Sequence, residues 1–570
     1  MLASPRADML KSFAIGAETQ KTWGSPMGEL RDRVLATLGE LTLPQLRAFW
    51  AARHPLVWAL ALTIGVVGAF AILGFRLGIG YVQWLWLGNS SENLVGTLAG
   101  FRAPWVVVAG PTLGGLVVGL IIWKFIKERR AHGIADVIEA GALHRADISL
   151  RAGLASAVAS AISIGCGASV GREGPAVHLG ATVAAFLDRK FNLSPAARRV
   201  LLASGAAAAV SASFNAPIAG VLFAHEVILG HFALSAFVPT VLAAVAATLI
   251  TRVWLGDFPA FILPEQHIAS YWEFPAFALL GVVCGLVAVC FQLTVMTADW
   301  SARRYTMPLW LRPALGGLVV GMMALTVPQV LGVGYEATNL AIKESYGLGW
   351  LLILLVAKTV ATAISMASRF GGGVFSPSLY IGAMAGGAFG IIAGSAVPEY
   401  ASNYGVYALL GMGAVAGAIL GAPISTALIV FELTGGYELT IALLLSVSIA
   451  SMIMQGLLGK SFFDWQLSQR GVFLREGSHL RIVRTSTVGD FMTTLTPQEK
   501  EEPPELFDRP RLIPSDTLEM ALRTLDEGGY TRLAVLDKRE DGELLGWVDQ
   551  VEALAAYNKA LIEANVEEHK

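Results

Sequence analysis

The chain has 570 residues, 55% hydrophobic and only 15% charged, with a mean hydropathy of +0.60. That balance excludes an ordinary soluble protein and fits an all-α polytopic membrane protein. A formal net charge of −2 gives no electrostatic footprint for a nucleic-acid partner.

Residues 1–54 are mixed and polar, read as a cytoplasmic N-terminal segment with no cleavable signal peptide; Arg31, Arg33, Arg47 and Arg53 lead into the first apolar run. Nine charge-free runs follow, at 55–75, 104–123, 200–224, 227–250, 274–298, 313–335, 370–398, 401–431 and 439–459. Each is long enough to cross about 30 Å of hydrocarbon, and internal Gly and Pro allow one run to hold two short broken helices. The membrane domain is therefore expected over 55–465. The basic run Lys124–Arg130 suits a cytoplasmic loop, which puts the hydrophilic C-terminal region on the cytoplasmic side as well. The 61 glycines suit close helix packing in lipid. Cys166, Cys284 and Cys290 lie in apolar segments without metal spacing and read as small buried hydrophobes.

Residues 171–175, Gly-Arg-Glu-Gly-Pro, set two charges inside an apolar, small-residue stretch. An ionisable group inside a bilayer marks a permeation or coupling site by default, which singles out Glu173. The glycines of 165–171 allow close backbone approach to a ligand, and Pro175 suits the first turn of a helix. A helix N-terminus of this kind favours an anion.

Two halves of the membrane region echo each other, over roughly 104–254 and 310–465. Gly171-Arg-Glu-Gly-Pro175 is followed by Gly180-Ala181, as Gly373-Val-Phe-Ser-Pro377 is by Gly382-Ala383. Asn215-Ala-Pro-Ile218 precedes Glu226 as Gly421-Ala-Pro-Ile424 precedes Glu432. Repeats with broken helices at matching positions point to a substrate site at their interface near the bilayer midplane.

From about 105 to 465 these motifs resemble the CLC chloride channels and chloride/proton exchangers. Gly171-Arg-Glu-Gly-Pro175 is similar to the family's gating-glutamate signature, and Gly373-Val-Phe-Ser-Pro377 to its Gly-x-Phe-x-Pro motif. Residues 130–137 stand where the family has Gly-Ser-Gly-Ile-Pro. The resemblance implies a homodimer in the lipid bilayer, with one anion pathway per subunit built from two inverted repeats of tilted helices. It implies that Glu173 is the gate, its carboxylate competing with chloride or another small anion for one site, with opening favoured by protonation. The anions would face the backbone N–H groups of Glu173, Gly174, Val374 and Phe375, and His132, Gly133, Ile134, Arg172 and Phe463 complete the implied anion-binding set.

Three family positions are altered. His132 replaces the central serine, with Ala135 for the following proline; it reads either as a local cap or as a titratable imidazole near the central anion. Phe463, or Phe462 one position away, falls at the central tyrosine and brings no hydroxyl. Val227 falls at the internal proton-transfer glutamate, leaving His225 and Glu226 as candidate relay residues or as groups that only pair locally. His178 reads as a structural side chain, and Lys358 and Arg369 have no assigned role.

From about 480 to 560 the composition changes. Pro497–Glu505 reads as a solvated loop, Asp516-Thr-Leu-Glu519 as a helix start, and Arg532–Leu536 and Leu544–Val548 as strands around a turn at Asp541-Gly542. With Val488-Gly-Asp-Phe-Met492 ahead of it, this segment resembles a single, small α/β CBS domain, whose pair a homodimer would supply. Asp549-Gln-Val-Glu552 stands where nucleotide-binding members have Ser/Thr-x-x-Asp, so ATP binding is not expected.

These readings lead to a gated chloride channel, with a chloride/proton exchanger using an unusual internal route as the alternative. A fluoride-exporting branch is disfavoured by Pro175 and the Phe375 motif. No catalytic constellation, metal site or cofactor is expected.

Overall fold

The computed structural model describes residues 53–143, 146–256, 267–473, 486–497, 510–538 and 542–569, with single positions at 37, 50, 483 and 499. The chain divides into two units, Met1–Val57 and Trp58–Lys570. Apart from the start of the first long helix, the elements below belong to the second.

Helix α1 (His54–Leu87) leads into seven helices of the first half. These are α2 (Pro104–Phe125), α3 (Ile134–Leu143), α4 (Leu150–Gly165), α5 (Glu173–Asp188), α6 (Pro195–Phe214), α7 (Pro217–Phe223) and α8 (Leu234–Leu255). After α9 (Phe274–Arg304) come their counterparts in the same order: α10 (Arg312–Ala324), α11 (Tyr335–Ile342), α12 (Leu348–Ala367), α13 (Phe375–Ala396), α14 (Tyr404–Leu420), α15 (Pro423–Thr434) and α16 (Tyr437–Leu458). The membrane region closes with α17 (Phe462–Ser468). Among the described residues, seven helical segments are long and apolar enough to cross a membrane.

Several of the charge-free runs are therefore not single spans. Asn215 (φ 60) and Gly421 (φ 65) end α6 and α14 in the left-handed conformation, and the Ala-Pro that follows each one starts α7 or α15 with proline in its first turn. The run at 313–335 likewise ends its helix at Ala324. Conversely, the first run continues past Arg76 as far as Leu87.

The repeat is built on reciprocal contacts. Glu226 Oε1 and Oε2 accept the N–H groups of Ile424 and Ser425 at 3.0 and 2.8 Å, and Oε2 also accepts the Ser425 hydroxyl at 2.6 Å. Glu432 returns the same contact to the N–H groups of Ile218 and Ala219 at 3.0 and 2.7 Å. Each half thus satisfies the orphan donors at a helix start of the other half. The glutamate ten residues after each Ala-Pro alanine is a cap exchanged between repeats, as expected of a two-fold relation.

Gly180 and Gly205 bring α5 and α6 together so closely that a Cβ on either would overlap the other's carbonyl oxygen; Gly382 and Gly411 do the same for α13 and α14. Small residues at such crossings let helix backbones pack directly.

The C-terminal region forms a three-stranded antiparallel sheet, ordered β1 (Thr493–Thr494), β3 (Leu544–Asp549), β2 (Arg532–Leu536), with helices α18 (Leu518–Glu527) and α19 (Gln550–His569). Its core gathers Val488, Leu512, Leu518, Leu525, Leu533, Val535 and Val548. Thr517, rather than Asp516, caps α18 by accepting the Met520 N–H; Asp516 accepts the Ile513 N–H instead. Asp541 and most of the Pro497–Glu505 stretch lie outside the described residues.

Gly180→Ala is expected to lower stability by about 1–3 kcal/mol through overpacking. A fall in melting temperature in detergent would register it; an unchanged value would show that the crossing has slack.

Candidate functional site

The two glycine-rich loops of the repeats meet as a two-bond antiparallel bridge. Gly171 N–H donates to Gly373 O at 2.6 Å, and Gly373 N–H returns to Gly171 O at 2.8 Å. Hydroxyls from neighbouring helices hold both loops. Ser365 Oγ accepts the Ser169 N–H at 3.1 Å, and Ser163 Oγ accepts the Gly371 N–H at 2.9 Å. Two residues beyond each bridging glycine a helix begins, α5 at Glu173 and α13 at Phe375. The bridge therefore sets two helix N-termini side by side.

Glu173 is 1% exposed. Its Oε1 accepts the Tyr335 hydroxyl at 2.7 Å and its Oε2 the Ser376 hydroxyl at 2.5 Å. Arg172 turns aside: its guanidinium pairs with Glu92, donates to Ser213 O at 3.3 Å and lies over the Tyr335 ring at 4.9 Å. Its Nε is 3.9 Å from Glu173 Oε1, an ion pair without a hydrogen bond. The Glu173 carboxylate is held mainly by two neutral hydroxyls.

Two cavities approach this carboxylate. The larger, about 340 Å³, is lined by Gly133, Ile134, Gly174, Val374, Phe375 and Phe463 among others. These residues lie at the starts of α3, α5, α13 and α17, so four helix N-termini converge on one space. Unpaired N–H groups and aligned peptide dipoles make such a space attractive to an anion. The second cavity, about 300 Å³, is lined by Arg76, Arg172, Phe214, Asn215 and Tyr335, among others. Glu173 lines neither one, while its neighbours Arg172 and Gly174 each line one of them.

The implied anion-binding residues thus divide. Gly133, Ile134, Gly174, Val374, Phe375 and Phe463 share the larger cavity, and Phe462 lines it as well. Arg172 belongs to the other cavity. His132 lines neither: its Nε2 is 3.3 Å from Glu128 Oε2, and its ring packs edge-on against His178 at 5.1 Å. The reading of His132 as an imidazole beside the central anion is corrected accordingly. The Ser156 hydroxyl takes the His132 N–H, and Asp136 takes the Gly133 N–H, which fixes this turn of backbone.

The candidate relay residues also lie away from both cavities. Glu226 has both oxygens engaged in capping α15, so its place is structural. His225 sits in a π-helical turn, Ala224–Leu229; its Nδ1 is 2.9 Å from Val221 O, and its Nε2 is buried without a partner among the described residues.

Sequence reasoning missed Tyr335 and Ser376. Ser376 occupies a variable position within the Gly-x-Phe-x-Pro motif, and Tyr335 follows a Gly-x-Gly whose glycines both have positive φ (62° and 95°). Lys358 finds its role on the same loop. Buried, it donates to Val330 O and Gly332 O at 3.0 and 2.7 Å, while Gly332 N–H binds Gly167 O at 3.1 Å. Lys358 therefore pins the segment that presents Tyr335.

Fold and site together define an integral multi-pass membrane protein of inverted helical repeats, with helix N-termini gathered at a closed central path. Residues 114–455 match the family described as "Voltage gated chloride channel". A ClcB-like protein of Ralstonia nicotianae is 34% identical over 392 residues, covering 68% of this chain and 91% of the relative. The voltage-gated ClC-type chloride channel ClcB of Salmonella typhimurium is 31% identical over 413 residues, covering 71% and 97%. The crystal structure of a slow cyanobacterial Cl−/H+ antiporter shares the fold, with a TM-score of 0.64 at 21% identity over 73% of this chain and 97% of that one. The chain belongs to the voltage-gated chloride channel (CLC) family.

Proposed function

We propose that the protein moves chloride across a membrane as a gated channel sensitive to pH and voltage, with Glu173 as the gate. The observation that supports this most is the convergence of four helix N-termini on a cavity whose wall includes Gly174, next to the buried Glu173. Free backbone N–H groups at such helix starts would stabilise an anion in that space. Protonating Glu173 removes the negative charge from that path, so chloride flux rises as pH falls. Val227 supplies no carboxyl for an internal relay, and Phe462 and Phe463 bring no hydroxyl to the cavity. Both features favour uncoupled flow, in keeping with the channel name of the Salmonella relative.

Chloride/proton antiport is the second reading. His225 favours it, because its buried Nε2 lacks a partner among the described residues within a π-helical turn, a feature frequent at functional sites. The cyanobacterial structure is an antiporter by name.

The same reading includes a homodimer in the bilayer with the C-terminal region cytoplasmic. Exposed apolar side chains on α7, α8, α15 and α16, including Ile218, Leu249, Ile424 and Met452, offer a surface for a second copy. The CBS-like region would stabilise that pair rather than bind ATP. Glu552 is engaged by the Thr493 hydroxyl, and with Asp549 it puts two carboxylates where phosphates would need donors.

In liposomes under a chloride gradient with a pH-sensitive dye outside, chloride should move without driving protons uphill. Uphill proton movement would replace the channel reading with antiport. Tyr335→Phe removes a hydroxyl that holds the ionised gate, a bond worth about 1.5–3 kcal/mol to a charged group. Chloride flux at neutral pH should then rise above that of the wild type. An unchanged flux would deny Tyr335 a part in holding the gate.

A further inference from the structure

Resting on the chloride reading, we propose that Arg369 forms a capture site for a small monovalent inorganic anion in the wall of the larger cavity, ahead of the path that Glu173 closes. Four arginines line this cavity: Arg130, Arg303, Arg369 and Arg470. Three are committed to carboxylates. Arg130 holds Asp136 through two nitrogens, at 2.9 and 2.5 Å. Arg470 bridges Asp136 and Glu139 at 3.0 and 2.7 Å, and Arg303 Nε binds Asp299 at 2.7 Å. Arg369 differs: its Nε is buried with no acceptor, and among the described residues no carboxylate pairs with it. The other three guanidiniums are answered by Asp136, Glu139 and Asp299, which leaves Arg369 as the lining arginine with no carboxylate within ion-pair distance among the described residues.

The backbone at Arg369 is also unusual. It ends α12 in the left-handed conformation, φ 71°, where glycine is the easy residue and arginine is strained. The turn is fixed by Arg369 N–H to Met366 O at 3.1 Å and Phe370 N–H to Ser365 O at 3.2 Å. From there the chain runs directly into the loop that bridges to Gly171 and starts α13. Val374 and Phe375, a few residues on, line the same cavity. An anion held at Arg369 therefore already shares a cavity with the helix start it must reach. A guanidinium is planar, permanently charged and weakly hydrated, so it can hold an anion without a large dehydration penalty.

The direct test is anomalous scattering from crystals grown in bromide. Bromide in contact with the Arg369 guanidinium of the wild type, and absent in Arg369→Gly, is the expected result. A wild type without bromide there overturns the proposal, whether or not the protein moves chloride. Glycine suits the left-handed backbone, so Arg369→Gly removes the charge while relaxing the turn. In sided flux assays this variant should need about three- to tenfold more chloride for half-saturation on the side of the larger cavity. Maximal flux and the opposite side should not change, and Arg369→Lys should fall between wild type and Arg369→Gly. Wild-type half-saturation in Arg369→Gly would also overturn the capture site, whereas a wild type that moves no chloride while bromide sits at Arg369 would count against the transport reading alone.

Discussion

Two backbone hydrogen bonds, exchanged between Gly171 and Gly373, join the two repeats just ahead of α5 and α13. The pairing demands close backbone approach; a Cβ on Gly174 would press on the Gly373 backbone at 3.3 Å. Because each helix starts two residues past its bridging glycine, the bridge sets the separation and relative direction of α5 and α13. Everything at the centre inherits that geometry: which N–H groups face the larger cavity, and where the Glu173 carboxylate lies. The other reciprocal contacts, Glu226 with α15 and Glu432 with α7, repeat the same exchange between the repeats.

The polar arrangement around Glu173 suits the proposed role of a switch better than that of a fixed plug. A buried carboxylate locked in a close bidentate pair with arginine would be costly to release. Here the neighbouring arginine is drawn away by Glu92, and two hydroxyls take its place. Hydroxyls both donate and accept, so they can serve a carboxylate, a protonated carboxyl or an arriving anion without a new unpaired charge. Lys358 supports this from behind by fixing the carbonyls of Val330 and Gly332, which precede Tyr335.

Much of the architecture was legible in the sequence because the repeat leaves the same marks twice. The paired Gly-Pro motifs located both helix starts at the centre, and the paired Ala-Pro motifs located the breaks at Asn215 and Gly421. The glutamates that followed those motifs were visible as a pattern but not in their purpose. A cap exchanged between helices about 200 residues apart has no local signature. Tyr335 and Ser376 escaped for the same reason, since a hydroxyl at the end of one loop gains meaning only beside a carboxylate from another. His132 shows the opposite failure: its position in a motif suggested a side chain in the cavity, but the local backbone bonds turn the imidazole toward Glu128 and His178.

The central claim is that the Glu173 carboxylate closes the path between the two cavities. The measurement that tests it most directly is chloride flux through Glu173→Gln in liposomes across a pH series. The amide mimics the protonated gate, so flux should be high and nearly independent of pH. A variant that keeps the steep pH dependence of the wild type would contradict the claim and place the titrating gate on another residue.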